Sequence, residues 1–74
     1  METLGERIRS SRERRIMTQG DLAQAAGLAL VTVNRIENDA IENPRPGTIR
    51  KIAAALGVNP AWLLFGEEDS KIAA

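Results

Sequence analysis

The chain has 74 residues, which is enough for one domain with a single hydrophobic core. It contains no cysteine, histidine or tyrosine, which excludes disulfides and thiolate metal sites and removes the commonest general base of enzymes. The formal net charge is zero, but the charge is unevenly distributed, because residues 1–66 carry nine basic and seven acidic side chains.

The first two predicted elements are helices separated by a short corner. Apolar residues one turn apart predict a first helix from about Thr3 to Arg15. Thr18 and Asp21 have the spacing of a capping box, so a second helix should begin there. Gly27 should end it, because glycine readily takes a positive φ after a helix. The inner face of this helix is small: Leu22, Ala23 and Ala26.

Three more helices follow, each bounded by proline, asparagine or glycine. The third is predicted from about Ala29 to Asn38, and Pro46 can serve as the first residue of the fourth. The fourth helix has a buried stripe and a terminal glycine: Ile49, Ile52, Ala53, Leu56 and Gly57. In the fifth, Asn59 caps, Pro60 begins and Gly66 ends the helix. No alternating β pattern is present, so the expected fold is all-α with five short helices.

The connection at Gly27 requires the second and third helices to cross steeply. Four apolar residues are expected to form their shared core: Leu22, Leu28, Val33 and Ile36. If Val33 points inward, a rotation of about 100° per residue exposes the opposite face of the third helix. That face carries Val31, Asn34 and Arg35, with Leu30 and Thr32 on its two flanks.

The stretch TQGDLAQAAGLALVTVNRIEN, residues 18–38, resembles the helix-turn-helix family of Cro and phage repressors, also called the XRE family. The flanking stretches LGERIRSSRERR and IRKIAAALGVNPAWLLFG are also similar to the family, so the resemblance covers about residues 4–66. It implies a lambda-repressor-like helix-turn-helix domain over residues 1–66. We expect residues 67–74 to form a disordered acidic tail.

The resemblance also implies roles for individual residues, with the third helix in the major groove of DNA. The base-reading positions would be Leu30, Val31, Asn34 and Arg35. The positions facing the DNA backbone would be Thr18, Gln19, Thr32, Asn38 and Arg45. Arg12 and Glu37 match a pair that commonly forms an internal salt bridge in this family.

The chemistry of the reading residues agrees with these roles. Val31 can contact the methyl group of thymine, and Asn34 can pair with adenine through a donor and an acceptor. Arg35 can bind guanine or hold a phosphate, and the sequence leaves both open. The alternative to base reading is that all three residues are ordinary solvent-exposed surface of the helix.

Several other positions carry expectations of their own. Ile16 stands where the family often has glycine or a polar residue, and we expect its side chain to cover the corner between the first two helices. Arg45 stands where a serine commonly caps the fourth helix, which weakens that cap by roughly 1 kcal/mol. Three arginines of the first helix are expected in solvent: Arg7, Arg9 and Arg14. Residues 62–65 are mostly core, with one or two exposed members available for self-association.

We therefore expect a cytoplasmic transcriptional regulator, a repressor, that binds a palindromic double-stranded DNA operator as a homodimer. No cofactor, metal, small-molecule or membrane partner is expected, and no constellation of catalytic residues points to an enzyme. One alternative is an antitoxin or a restriction-modification controller with the same DNA surface. The other is a protein-interaction module that has lost DNA binding, which the apolar Leu30 and Val31 would favour.

Overall fold

The computed structural model describes residues 2–66, which form five helices joined by short loops. The helices are α1 (Leu4–Arg14), α2 (Gln19–Ala26), α3 (Leu30–Glu37), α4 (Pro46–Leu56) and α5 (Pro60–Phe65). The all-α class is confirmed, whereas the predicted acidic tail at residues 67–74 lies outside the described residues. None of the helices between residues 2 and 66 is both long and apolar enough to cross a bilayer.

Local caps determine where the helices begin and end. The Thr18 hydroxyl accepts from the backbone N–H of Asp21 (3.0 Å), and the Asp21 carboxylate accepts from the backbone N–H of Thr18 (2.9 Å). This reciprocal capping box confirms the predicted start of α2. The predicted glycines end α2, α4 and α5 in the left-handed conformation: Gly27, Gly57 and Gly66.

The core lies where the five helices meet. Its largest enclosed side chains come from all of them: Ile8, Leu22, Val33, Ile36, Ile49, Ile52, Leu56 and Leu63. Leu28, predicted for the core, is half-buried and packs against this cluster. Burial of Val33 and Ile36 on the inner side of α3 fixes the rotation of that helix, so its opposite side faces solvent.

The start of α1 packs directly on the end of α3. A Cβ atom at Gly5 would lie 2.7 Å from the carbonyl oxygen of Ile36 and closer still to that of Glu37, so only glycine fits. Next to this contact, the Asp39 carboxylate accepts from the Thr3 hydroxyl (2.6 Å) and from the Gly5 backbone N–H (3.0 Å). These contacts hold the two helix ends in one fixed arrangement.

Arg7 corrects one of the sequence predictions, because it is buried with 7% of its surface exposed. Its Nε donates to the carbonyl oxygen of Leu63 (2.7 Å), and its two Nη atoms donate to those of Leu64 (3.0 Å) and Glu2 (2.8 Å). Carbonyl groups at the end of a helix lack donors within the helix, and a guanidinium can supply them. The prediction that Arg7 lies in solvent is therefore wrong.

Ile16 corrects a second prediction. The residue is 91% exposed, so its side chain does not pack over the corner, and its backbone has a φ of 54°. In this left-handed region the side chain of an L-residue is crowded by its own backbone, which is why glycine is favoured there. The backbone of the corner thus keeps the conformation of a glycine turn although isoleucine occupies it.

The missing side-chain cap at Arg45 and the partial exposure of residues 62–65 agree with the structure, whereas self-association through α5 stays a prediction. Arg45 is the N-cap residue of α4 and makes no side-chain capping hydrogen bond. In α5, Trp62 and Leu63 are buried, whereas Leu64 and Phe65 are 38% and 71% exposed. The helix therefore presents two of its four consecutive apolar residues to solvent.

Candidate functional site

The outer face of α3 carries the residues predicted to read bases. The left-handed Gly27 and the half-buried Leu28 turn the chain, and α3 begins after Ala29 without a side-chain cap. All four predicted base-reading residues lie on the surface: Leu30 and Val31, which are 54% and 53% exposed, together with Asn34 and Arg35. Spacings of three and four residues place Val31, Asn34 and Arg35 side by side on the helix.

This face combines three kinds of chemistry within two helical turns. Leu30 and Val31 offer methyl groups, the Asn34 amide offers donors and an acceptor, and Arg35 in the last turn offers a cation. An isolated exposed apolar residue is ordinary, but two adjacent ones at the start of a helix form a small apolar patch. The face can therefore make apolar contacts, hydrogen bonds and a charge contact with one partner.

A chain of side-chain amides runs across this face. Gln19 Nε2 donates to Glu37 Oε1 (3.1 Å), Asn34 Nδ2 donates to Gln19 Oε1 (3.3 Å), and Asn38 Nδ2 donates to Asn34 Oδ1 (3.3 Å). We call Gln19, Asn34 and Asn38 the amide relay. It joins a predicted base-reading residue to two predicted backbone-contacting residues and begins at the buried Glu37.

Glu37 forms the ion pair expected with Arg12. Arg12 Nε donates to Glu37 Oε2 (2.6 Å) and Arg12 Nη2 donates to Oε1 (3.0 Å), while Arg12 Nη1 donates to the carbonyl oxygen of Met17 (2.8 Å). Arg9 Nε lies 3.6 Å from the same carboxylate and remains half-exposed. This pair connects α1 to the end of α3.

The charge state of the pair follows from its surroundings. Burial by itself raises the pKa of Glu37, but hydrogen bonds from Arg12 and Gln19 and the charges of Arg12 and Arg9 outweigh it, so this pKa lies below its ordinary value. The hydrogen bond to Glu37 raises the pKa of Arg12 despite partial desolvation. Both groups are therefore charged at neutral pH, and Glu37 is an acceptor only.

The remaining residues predicted to face the DNA backbone lie outside the amide relay. Thr18 is exposed, and its hydroxyl is used in the capping box of α2. Thr32 is half-buried on the flank of α3, and Arg45 is exposed at the start of α4. The amide relay thus unites Gln19, Asn34 and Asn38, whereas Thr18, Thr32 and Arg45 are not hydrogen-bonded to it.

Sequence reasoning missed four features of this site and its support: the Gln19–Glu37 contact, the burial of Arg7, the Asp39 cap on α1 and the close approach at Gly5. Only Gly5 carried a usable signal, as a glycine inside a predicted helix. Within residues 2–66 no group of acidic side chains is arranged to hold a metal ion.

Comparison with known proteins places these features in a family context. Residues 8–63 match the helix-turn-helix family. The HTH-type transcriptional repressor RghR of Bacillus subtilis is 38% identical over 65 residues, which are 88% of this chain and 48% of that protein. The chain spans about half the length, or less, of the first curated relatives that it matches.

Solved structures show the same likeness in three dimensions. The P22 c2 repressor, crystallised with a synthetic operator, superposes with a TM-score of 0.84 at 28% identity, covering 90% of this chain and 100% of that chain. The N-terminal DNA-binding domain of SinR from Bacillus subtilis gives a TM-score of 0.78 at 30% identity, covering 81% of this chain and 87% of that chain. The fold is therefore shared with the P22 c2 repressor and with the DNA-binding domain of SinR.

Proposed function

Because this chain belongs to the helix-turn-helix family of Cro and phage repressors, we propose that it is the sequence-specific DNA-binding part of a transcriptional repressor. The observation that carries the proposal is the outer face of α3, where Val31, Asn34 and Arg35 are exposed beside one another. The names of the matched proteins support it, since RghR is a transcriptional repressor and the P22 protein was crystallised with an operator.

In the proposed mechanism, α3 enters the major groove, which is wide enough to admit a helix. Val31 contacts a thymine methyl group and Asn34 pairs with adenine, while Leu30 lies at the edge of the contact. Arg35 forks onto guanine or binds a phosphate. An occupied operator then blocks access to the promoter.

Contacts with the phosphate backbone would set the position of α3 in the groove. In this proposal the N-terminus of α2, with the exposed Thr18 and the half-buried Gln19, faces the backbone. Thr32 on α3, Asn38 at its C-cap and Arg45 at the start of α4 make the other contacts. The buried Glu37 does not oppose binding, because Arg12 and Arg9 neutralise it. Affinity should accordingly fall as the salt concentration rises.

One α3 helix reads only a few base pairs, so two copies are proposed to bind a palindromic site with half-sites about one helical turn apart. The exposed Leu64 and Phe65 of α5 offer an apolar surface through which the copies can associate. This role places the protein in the cytoplasm with the chromosome and requires no cofactor or catalysis.

The proposal is tested by selecting bound duplexes from a random pool with the wild-type chain, Val31→Ala and Asn34→Ala. We expect the wild type to enrich a palindrome and each variant to lose about 1–3 kcal/mol of discrimination at one base pair. Gln24→Ala serves as the control, because Gln24 is exposed on α2 and is not among the residues proposed to contact DNA. Failure of the wild type to enrich any sequence would refute the proposal.

A second candidate function is a protein-interaction module, which the adjacent exposed Leu30 and Val31 favour. Apolar contacts with a protein do not depend on the release of counterions from DNA. Weak DNA binding with equal affinity for every duplex, combined with loss of a protein partner in Leu30→Ser, would favour this candidate over the first.

A further inference from the structure

The amide relay has a direction, and its buried end sets that direction. The Glu37 side chain is fully enclosed and accepts two hydrogen bonds from Arg12, so it has no proton to offer a neighbour. Its Oε1 also receives Gln19 Nε2 at 3.1 Å. The Gln19 amide must therefore turn its nitrogen toward Glu37 and its oxygen away.

The orientation of the Gln19 amide also constrains the Asn34 amide through a second hydrogen bond. Gln19 Oε1 accepts from Asn34 Nδ2 at 3.3 Å, and Asn34 Oδ1 accepts from Asn38 Nδ2 at 3.3 Å. A half-turn of the Gln19 amide would set its oxygen against the Glu37 carboxylate and its nitrogen against the Asn34 nitrogen. Both contacts would be lost, so one orientation of the Asn34 amide is favoured.

We infer, on the basis of the proposed function, that Gln19 is a positioning residue that fixes the Asn34 amide for base reading, with Glu37 as its anchor. The relay uses one N–H and one lone pair of Asn34. One N–H and one lone pair remain, which is the pair of groups that the edge of adenine requires. The base preference at Asn34 therefore depends on Gln19 as well as on Asn34 itself.

The first test needs no DNA and uses nitrogen–proton correlation spectra of the side-chain amides in the 74-residue chain. Gln19→Met keeps the length of the side chain and removes its amide. We expect the Asn34 and Asn38 amide resonances to shift in this variant. They should stay in place in Gln24→Met, the matched control at an exposed position of the same helix. Unchanged Asn34 resonances in Gln19→Met would overturn the inference.

The second test compares duplexes selected from a random pool by the wild type, Gln19→Met and Asn34→Ala. We expect both variants to relax the preference at the same base pair, each by about five-fold or more. An even loss of affinity over all sequences in Gln19→Met, with the preference intact, would make Gln19 a phosphate contact alone and overturn the inference. If the wild type selects no sequence, the proposed function itself fails, and the spectra still report whether the relay forms.

Discussion

Replacing Ile16 by glycine should stabilise the protein, although the change deletes a large apolar side chain. The residue has a φ of 54°, in the left-handed region where an L-residue incurs roughly 1–2 kcal/mol. Its side chain is 91% exposed, so almost no buried apolar surface is lost on truncation. Relief of this strain is partly offset, by about 0.4–1 kcal/mol, because glycine increases the conformational entropy of the unfolded chain.

The expected net gain is about 0.5–1 kcal/mol in the free energy of unfolding. For a domain of this size, that corresponds to a rise in Tm of roughly 2–8 °C. Thermal unfolding followed by circular dichroism, together with urea titration, measures both quantities. Ile16→Ala is the control, because it removes nearly the same apolar surface but keeps the Cβ atom that causes the strain. A glycine variant no more stable than the alanine variant would refute the reasoning.

Three further predictions concern the contacts that hold the helices together. Gly5→Ala pushes a methyl group into the backbone of α3 and should destabilise the fold by about 1–3 kcal/mol or more in urea titrations. Gly47→Ala, which points into open space, should lose nothing, and equal effects of the two changes would contradict the close-packing argument. The pKa of Glu37 in the folded state lies below the ordinary value of about 4.3, so the stability it contributes is complete above that value and is lost as the pH falls through the lower folded pKa. The difference in unfolding free energy between the wild type and Glu37→Gln should therefore shrink below about pH 4, and a difference that is constant from pH 7 to 3 would count against this assignment. Arg7→Met leaves the end of α5 without donors and should lose about 1.5–3 kcal/mol, whereas the exposed Arg14→Met should stay within about 0.5 kcal/mol of the wild type; similar losses in both variants would argue against the role of Arg7.

The features that the sequence predicted well are local ones. Thr18 and Asp21 are three residues apart, and Gly57 directly follows the last residue of α4. The residues that determine each helix end therefore lie within one turn of that end. The exposed face of α3 followed in the same way, because the inward Val33 and Ile36 fix the rotation of the helix. Local spacing was enough in these cases because the stabilising contacts are themselves local.

The features that it did not predict join distant parts of the chain. Arg7 donates to carbonyl groups 56 and 57 residues away. Every residue type has a backbone carbonyl, so the sequence does not indicate which carbonyls will accept these hydrogen bonds. The contact between Gln19 and Glu37 spans 18 residues and depends on how steeply α2 crosses α3. Ile16 shows the reverse case, because the resemblance correctly suggested a glycine-like backbone, whereas the prediction that the isoleucine side chain would cover the corner was wrong.

The hydrogen bonds of Arg7 have a topological consequence. One guanidinium binds the carbonyl groups of Glu2 and Leu64, so the two extremities of the described chain are held beside each other and the path is nearly a closed ring. A short glycine linker could join these two ends of the described chain. New termini could then be placed between the exposed Glu42 and Asn43, in the loop between α3 and α4, without interrupting any helix. The order of the helices along the polypeptide is thus separable from their arrangement in space.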